Sequence, residues 1–151
     1  VSAQMAPHLG QLVPFLLRQL EAASSHPLLV AMTLWTLARY AAGIDAETTL
    51  TPTVLACLLA KLGDAHPRVQ RAACTAWVAW ADRAPEALDP QRLTELISTL
   101  VPLMLQRYGR RTQTVALDAL AAMAENCGEA LLNTPPSLVE QLGAALMALW
   151  E

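Results

Sequence analysis

Trp35 and Arg39 stand four residues apart, with Met32 three residues before the tryptophan. Positions three and four apart are neighbours on a helix surface, so an indole, a thioether and a guanidinium share one face. That set suits recognition rather than catalysis, because tryptophan and arginine are the side chains most enriched at binding hot spots. On the same helix Leu29, Thr33, Thr36, Leu37 and Tyr40 gather as the expected core face, which leaves Trp35 off it. Two readings stay open here: a platform for a partner, or a packing residue covered by a neighbouring helix, since tryptophan is usually well buried. A second group is acidic. Asp118 and Glu125 are seven residues apart and share a helix face, and Asp82 stands on an earlier helix. Two carboxylates could formally act as acid and base, but nothing in the sequence supplies a closed, water-excluding pocket for them. No nucleophile with a nearby base and no glycine-rich phosphate loop occurs, so the chain is read as no enzyme.

The elements that must position these groups are helices throughout. The 151 residues are 54% hydrophobic and 15% charged with a net charge of −3, which suits a packed chain and not a disordered one. No basic excess exists to hold nucleic acid by its phosphates. Apolar runs are cut by Arg, Glu, Asp or Pro before the roughly 20 residues needed to cross a bilayer, and no secretory signal is visible. Cys57, Cys74 and Cys127 are odd in number and widely spaced, which fits small core residues in a reducing compartment. No cofactor or metal is expected, because no paired Cys or His spacing appears.

In chain order a first helix is expected from about Pro7 to Ala23, with Leu9, Leu12, Val13, Leu16, Leu17 and Leu20 as its stripe, broken by Ser24-Ser25-His26-Pro27. The Trp35 helix starts at Pro27, with Gly43 as its expected C-terminal cap. Thr51 and Pro52 predict an N-cap and first helical position for a helix through Leu62, stopped by Gly63-Asp64. His66-Pro67 repeats His26-Pro27 and opens a helix to about Arg83, with Trp77 and Trp80 on its core side. Asp89-Pro90 opens the next, to Tyr108 with Gly109 as cap. Arg110-Arg111 are expected in a turn, and Thr112 starts a helix ending at Cys127-Gly128. Thr134-Pro135 and the pattern Ser137 with Glu140 open a last helix to Trp150.

These helices pair at about 7–43, 51–84 and 89–128, with a lone helix at 135–150. Leu37, Trp77 and Leu120 recur at intervals of 40 and 43 residues, within the range of HEAT or armadillo units. The predicted architecture is an all-α solenoid of HEAT repeats, a single segment over 1–151. Because the sequence lacks an initial Met and stops after one helix of a pair, whereas solenoids close their ends with polar caps, it is read as excised from a longer one. In this register Trp35, Thr75 and Asp118 occupy one structural place in successive second helices, and Asp82 and Glu125 another. A stripe therefore crosses the stack: Met32, Trp35 and Arg39, then Thr75 and Asp82, then Asp118 and Glu125, apolar at one end and acidic at the other.

Four stretches carry a resemblance that spans essentially the whole chain in one order: Leu12-Val13-Pro14-Phe15-Leu16-Leu17-Arg18, Leu34-Trp35-Thr36-Leu37-Ala38-Arg39-Tyr40-Ala41, Arg68-Val69-Gln70-Arg71-Ala72-Ala73-Cys74, and Leu117-Asp118-Ala119-Leu120 with Ala124-Glu125. In this the chain resembles the transportins (karyopherin-β2), nuclear import receptors of the importin-β class. The resemblance implies a concave face built from second helices. On it Trp35 and Arg39 would contact the proline-tyrosine end of a nuclear localisation signal, and Asp82, Asp118 and Glu125 its basic part. It implies cargo proteins as partners, Ran GTPase and nucleoporins mainly through other parts of such a receptor, and shuttling between cytoplasm and nucleus. Met32 stands where the family tends to have Ile, Asp82 where it has Glu and Glu125 where it has Asp, so reach changes by about a methylene. The alternatives are a HEAT scaffold that assembles a multiprotein complex and a helical-repeat enzyme, which would need a pocket.

Overall fold

The computed structural model describes residues 6–22, 26–43 and 50–150, and among them every regular element is a helix. Eight α-helices follow one another: α1 Leu9–Ala22, α2 Pro27–Arg39, α3 Leu50–Leu62, α4 Pro67–Arg83, α5 Pro90–Gln106, α6 Arg110–Asn126, α7 Gly128–Leu132 and α8 Pro136–Trp150. Prolines at first positions start α2, α4 and α5, where the missing N–H costs nothing. Side chains complete two of these starts: His66 Nδ1 accepts from Arg68 N at 3.1 Å, and Asp89 Oδ1 accepts from Arg92 N at 2.8 Å. His26 sits at the N-cap of α2 without such a bond.

The helices form two layers, and the fold is an all-α solenoid of HEAT repeats. The pairs α1 with α2, α3 with α4 and α5 with α6 pack antiparallel across the core, while α2, α4 and α6 stack side by side as one layer. In that layer α4 packs extensively on both α2 and α6, whereas α1, α3 and α5 touch one another sparsely. Small side chains permit the close approach: Ala73, Ala76 and Ala81 of α4 and Ala116, Ala119 and Ala122 of α6 are buried. The outward face of α2, α4 and α6 forms one of the two broad surfaces of the stack. After α6 the short α7 intervenes, which the sequence did not suggest, and α8 packs on α5.

The core runs unbroken between the layers, from Val13, Leu16 and Leu20 through Leu58, Leu62, Trp77 and Trp80 to Leu96, Leu100 and Met104. Trp77 and Trp80 are packing residues, as their periodicity predicts, although neither indole N–H finds an acceptor. Hydrogen bonds between layers and repeats join positions about one repeat apart. The buried Tyr108 hydroxyl donates to Leu62 O at 2.8 Å, tying the turn after α5 to the end of α3. Beside that hydroxyl lies Cys74, whose thiol burial pushes up to about 12. Cys57 and Cys127 are also free and raised by burial.

Several expectations need correction. The buried arc of α2 is Val30, Thr33, Leu34, Leu37 and Ala38, so Thr33 and Leu37 face the core as expected, whereas Leu29 is 52% exposed and Thr36 and Tyr40 are only partly buried. The arc turns because α2 is wedged between α1 and α4, so its core face points between them. Thr51 is buried inside the first turn of α3 rather than ahead of it. Gly43 and Gly109 are not left-handed caps, since no described glycine has positive φ. Gly43 instead allows a close approach, for a Cβ there would meet Leu9 Cδ1 at 2.7 Å. Gly109 is the N-cap of α6, which places Arg110, Arg111 and the buried Thr112 in its first turn. The last helix starts at Pro136, and Thr134 Oγ1 donates back to Leu131 O at 2.6 Å. Ser24, Ser25 and the Ser137 side chain lie outside the described residues.

Candidate functional site

Trp35 is 61% exposed and Met32 59%, so no described helix covers the tryptophan. Exposure of so much apolar surface on one turn is unusual for a residue type that packs. The turn is held firmly underneath: Leu34 and Leu37 are fully buried, and Thr36 Oγ1 bonds back to Met32 O at 2.8 Å.

Beside Trp35 a groove of about 430 Å³ runs between α2 and α4. Met32, Trp35 and Arg39 form one wall, Thr75 stands on the other, and alanines such as Ala72, Ala76 and Ala79 form much of the remaining lining. The groove exists because both helices present small residues where they meet, while long side chains rise from its edges. The far wall also carries Arg68 and Arg83, which reading equivalent places in successive repeats did not find. The signal was present, however: Arg68, Ala72, Thr75, Ala79 and Arg83 recur at three and four residue steps, one edge of a helix. Equivalent places mark tips that point the same way, whereas a groove between two helices is lined by the facing edges of both.

Arg83 is fixed. Its Nη1 donates to Ala38 O at 3.2 Å and Arg39 O at 3.3 Å, reaching carbonyls in the last turn of α2, of which Ala38 O also accepts a backbone N–H at the cap. A cation there also meets the negative end of the helix dipole.

The three carboxylates lie elsewhere on the same layer. Asp82, Asp118 and Glu125 are exposed on α4 and α6, and none of them lines the groove. The structure thus brings together Met32, Trp35, Arg39 and Thr75, and leaves the acidic group on the adjoining α4–α6 surface. Asp82 is held in place, its Oδ1 accepting from Asn126 Nδ2 at 2.9 Å, while the same amide donates to Ala122 O at 3.0 Å. Asn126 was invisible to a search for charges.

A larger groove of about 820 Å³ lies on the opposite layer, between α3 and α5, with Leu55, Leu59, Trp77, Arg92 and Leu103 among its lining. It contains none of the seven residues singled out by sequence, and the tryptophan in it is a buried core residue. Among the described residues no group of three or more His, Cys, Asp or Glu side chains could hold a metal. No described helix is long and apolar enough to cross a membrane.

A stacked, two-layer α-solenoid with an exposed aromatic groove between α2 and α4 defines the class: the HEAT-repeat proteins. No family model matches the chain. Human transportin-1 is 30% identical over 149 residues, covering 97% of this chain, and rice transportin-1 is 33% identical over 132 residues, covering 83%. Importin subunit beta-2 of Schizosaccharomyces pombe is 29% identical over 153 residues, covering 97%. The chain spans about a sixth of the length of these relatives, 16% of the human protein. Over nearly its whole length the chain is therefore similar to one segment of the transportin-1 and importin subunit beta-2 proteins.

Proposed function

We propose that this segment binds an extended nuclear localisation signal of the proline-tyrosine type on the layer of α2, α4 and α6, as part of a receptor that carries cargo proteins into the nucleus. The observation that carries the reading is Trp35, 61% exposed at the edge of the groove between α2 and α4. The relatives named transportin-1 and importin subunit beta-2 supply the transport context. Ran GTPase and nucleoporins would engage mainly other parts of such a receptor, which would shuttle between cytoplasm and nucleus and have no enzymatic activity.

An extended peptide has little structure of its own, and ordering it costs several kcal/mol that a few well-buried contacts must offset. In this reading Trp35 and Met32 supply the apolar area, with Arg39 stacking on or donating to a tyrosine and Thr75 lining the other wall. Asp82, Asp118 and Glu125 attract the basic part of the signal. Neighbouring helices lie roughly 8–10 Å apart and an extended residue spans about 3.3 Å, so crossing one helix takes about three residues. The apolar anchor and the basic residues of the signal are then a few residues apart, matching the separation of groove and carboxylates.

The test is a titration of a fluorescent proline-tyrosine signal peptide against the full protein and its Trp35→Ala variant. The expected loss is on the order of 2 kcal/mol or more, about thirty-fold in Kd, with helicity unchanged because the indole is not in the core. Equal binding by a folded Trp35→Ala variant would sink the reading. A scaffold that joins proteins through its turns would give that result.

A further inference from the structure

We infer that the α2–α4 groove selects a carboxylate side chain, aspartate or glutamate, immediately beside the apolar anchor of the bound segment. The inference rests on the peptide-binding reading above and adds a specificity to it. Arg39, Arg68 and Arg83 all line this groove, and no Asp or Glu does. Three of the chain's ten cations are thus gathered on one small surface of a chain whose net charge is −3. Among the described residues the one ion pair joins Arg92 to Asp89, and no described carboxylate is ion-paired with the three groove guanidiniums.

The cations do not converge on one point. Arg68 and Arg83 are fifteen residues apart on α4, and at 1.5 Å per residue their backbones are about 22 Å apart along the groove. Arg39 belongs with Arg83, at the carboxyl end of α2. A dianionic phosphate gripped by all three is therefore excluded by distance. What the arrangement offers is a cation at each end of an apolar floor, each able to take a single carboxylate with its planar fork. Arg83 is already oriented by its bonds to Ala38 O and Arg39 O, so its remaining N–H groups are held ready instead of being ordered on binding. The acidic α4–α6 surface lies just beyond. The layer of α2, α4 and α6 is thus charge-segregated, cationic around the apolar groove and anionic next to it, and complementarity favours a segment with the reverse order.

The experiment compares three peptides that share a basic stretch and a tyrosine anchor, with glutamate, glutamine or lysine on either side of the tyrosine. Each is titrated by fluorescence anisotropy against the full protein, its Arg39→Gln/Arg68→Gln variant and Trp35→Ala, at low and high salt. Arg83 is left in place because it completes the end of α2. The glutamate peptide is expected to bind about five-fold tighter than the glutamine peptide at low salt and the lysine peptide weaker still. The gap should shrink at high salt and narrow in the double arginine variant, where Arg83 alone remains to hold the carboxylate. Equal affinity of the glutamate and glutamine peptides for the unaltered protein, or a gap of unchanged size after the arginine changes, overturns the inference. If Trp35→Ala weakens all three equally while no gap appears, peptide binding stands and the acidic preference alone falls; if no peptide binds, both fall.

Discussion

The behaviour of single side chains here follows from which layer they face. Trp35 and Trp77 occur on successive second helices, yet one is 61% exposed and the other 2%. Buried thiols give the residue scale its pH dependence. Cys74 has an ordinary thiol pKa of 9.0 when unfolded and is pushed up to about 12 in the fold, because burial penalises the thiolate. A raised acid pKa means the folded chain holds its proton more tightly. The associated stability is complete below about pH 9 and is lost as pH rises towards 12, by at most about 1.4 kcal/mol per pH unit from this group. Urea unfolding between pH 8 and 11 should show that decline. Cys74→Ala should flatten its share of it, and an unchanged slope would mean that Cys74 does not titrate on unfolding.

Among the elements, the ends of helices carry the most specific bonds. The Tyr108 hydroxyl donates to Leu62 O where α3 ends, and Leu62 itself is fully buried. Tyr108→Phe keeps the ring and removes the donor, leaving a buried carbonyl without its partner. The expected loss is about 1–3 kcal/mol of stability, read as a lower urea midpoint at unchanged m-value. A variant as stable as the wild type would show that water replaces the hydroxyl. Arg83 does comparable work at the end of α2, and the same side chain then serves as a wall of the groove. A helix terminus and a binding edge thus share one residue.

For the molecule as a whole, layering and charge act together. The helices α2, α4 and α6 pack side by side, and the exposed acidic residues of α4 and α6 stand on helices of the same layer as the groove. Charges spread over such a surface act mainly on encounter rate and on selectivity, and salt screens them within about 10 Å at 0.1 M. Replacing Asp82, Asp118 and Glu125 together by their amides should slow association of a basic signal peptide and flatten the salt dependence of its Kd. The Trp35→Ala loss should persist at high salt. Stopped-flow association rates at two ionic strengths check this, and an unaltered salt slope would remove the three carboxylates from the proposed face.

The seven longer helices and their order were legible in the sequence, because they depend on local periodicity and on prolines at helix starts, whereas the five-residue α7 is too short to show a period. The position of Trp35 off the core face was legible for the same reason. Its exposure was not, since periodicity says which side a residue is on and only a neighbour decides whether that side is covered. The turned core face of α2, with Leu29 out and Val30, Leu34 and Ala38 in, arose from packing against two helices at once. Arg68 and Arg83 became groove residues only when α4 was set beside α2 with its edge facing across, and Asn126 became Asp82's anchor only when α6 was set beside α4. A sequence fixes the faces of each helix by its own 3.6-residue turn, whereas grooves and cross-helix bonds belong to pairs of helices, and the pairing is settled by how their small and large side chains fit.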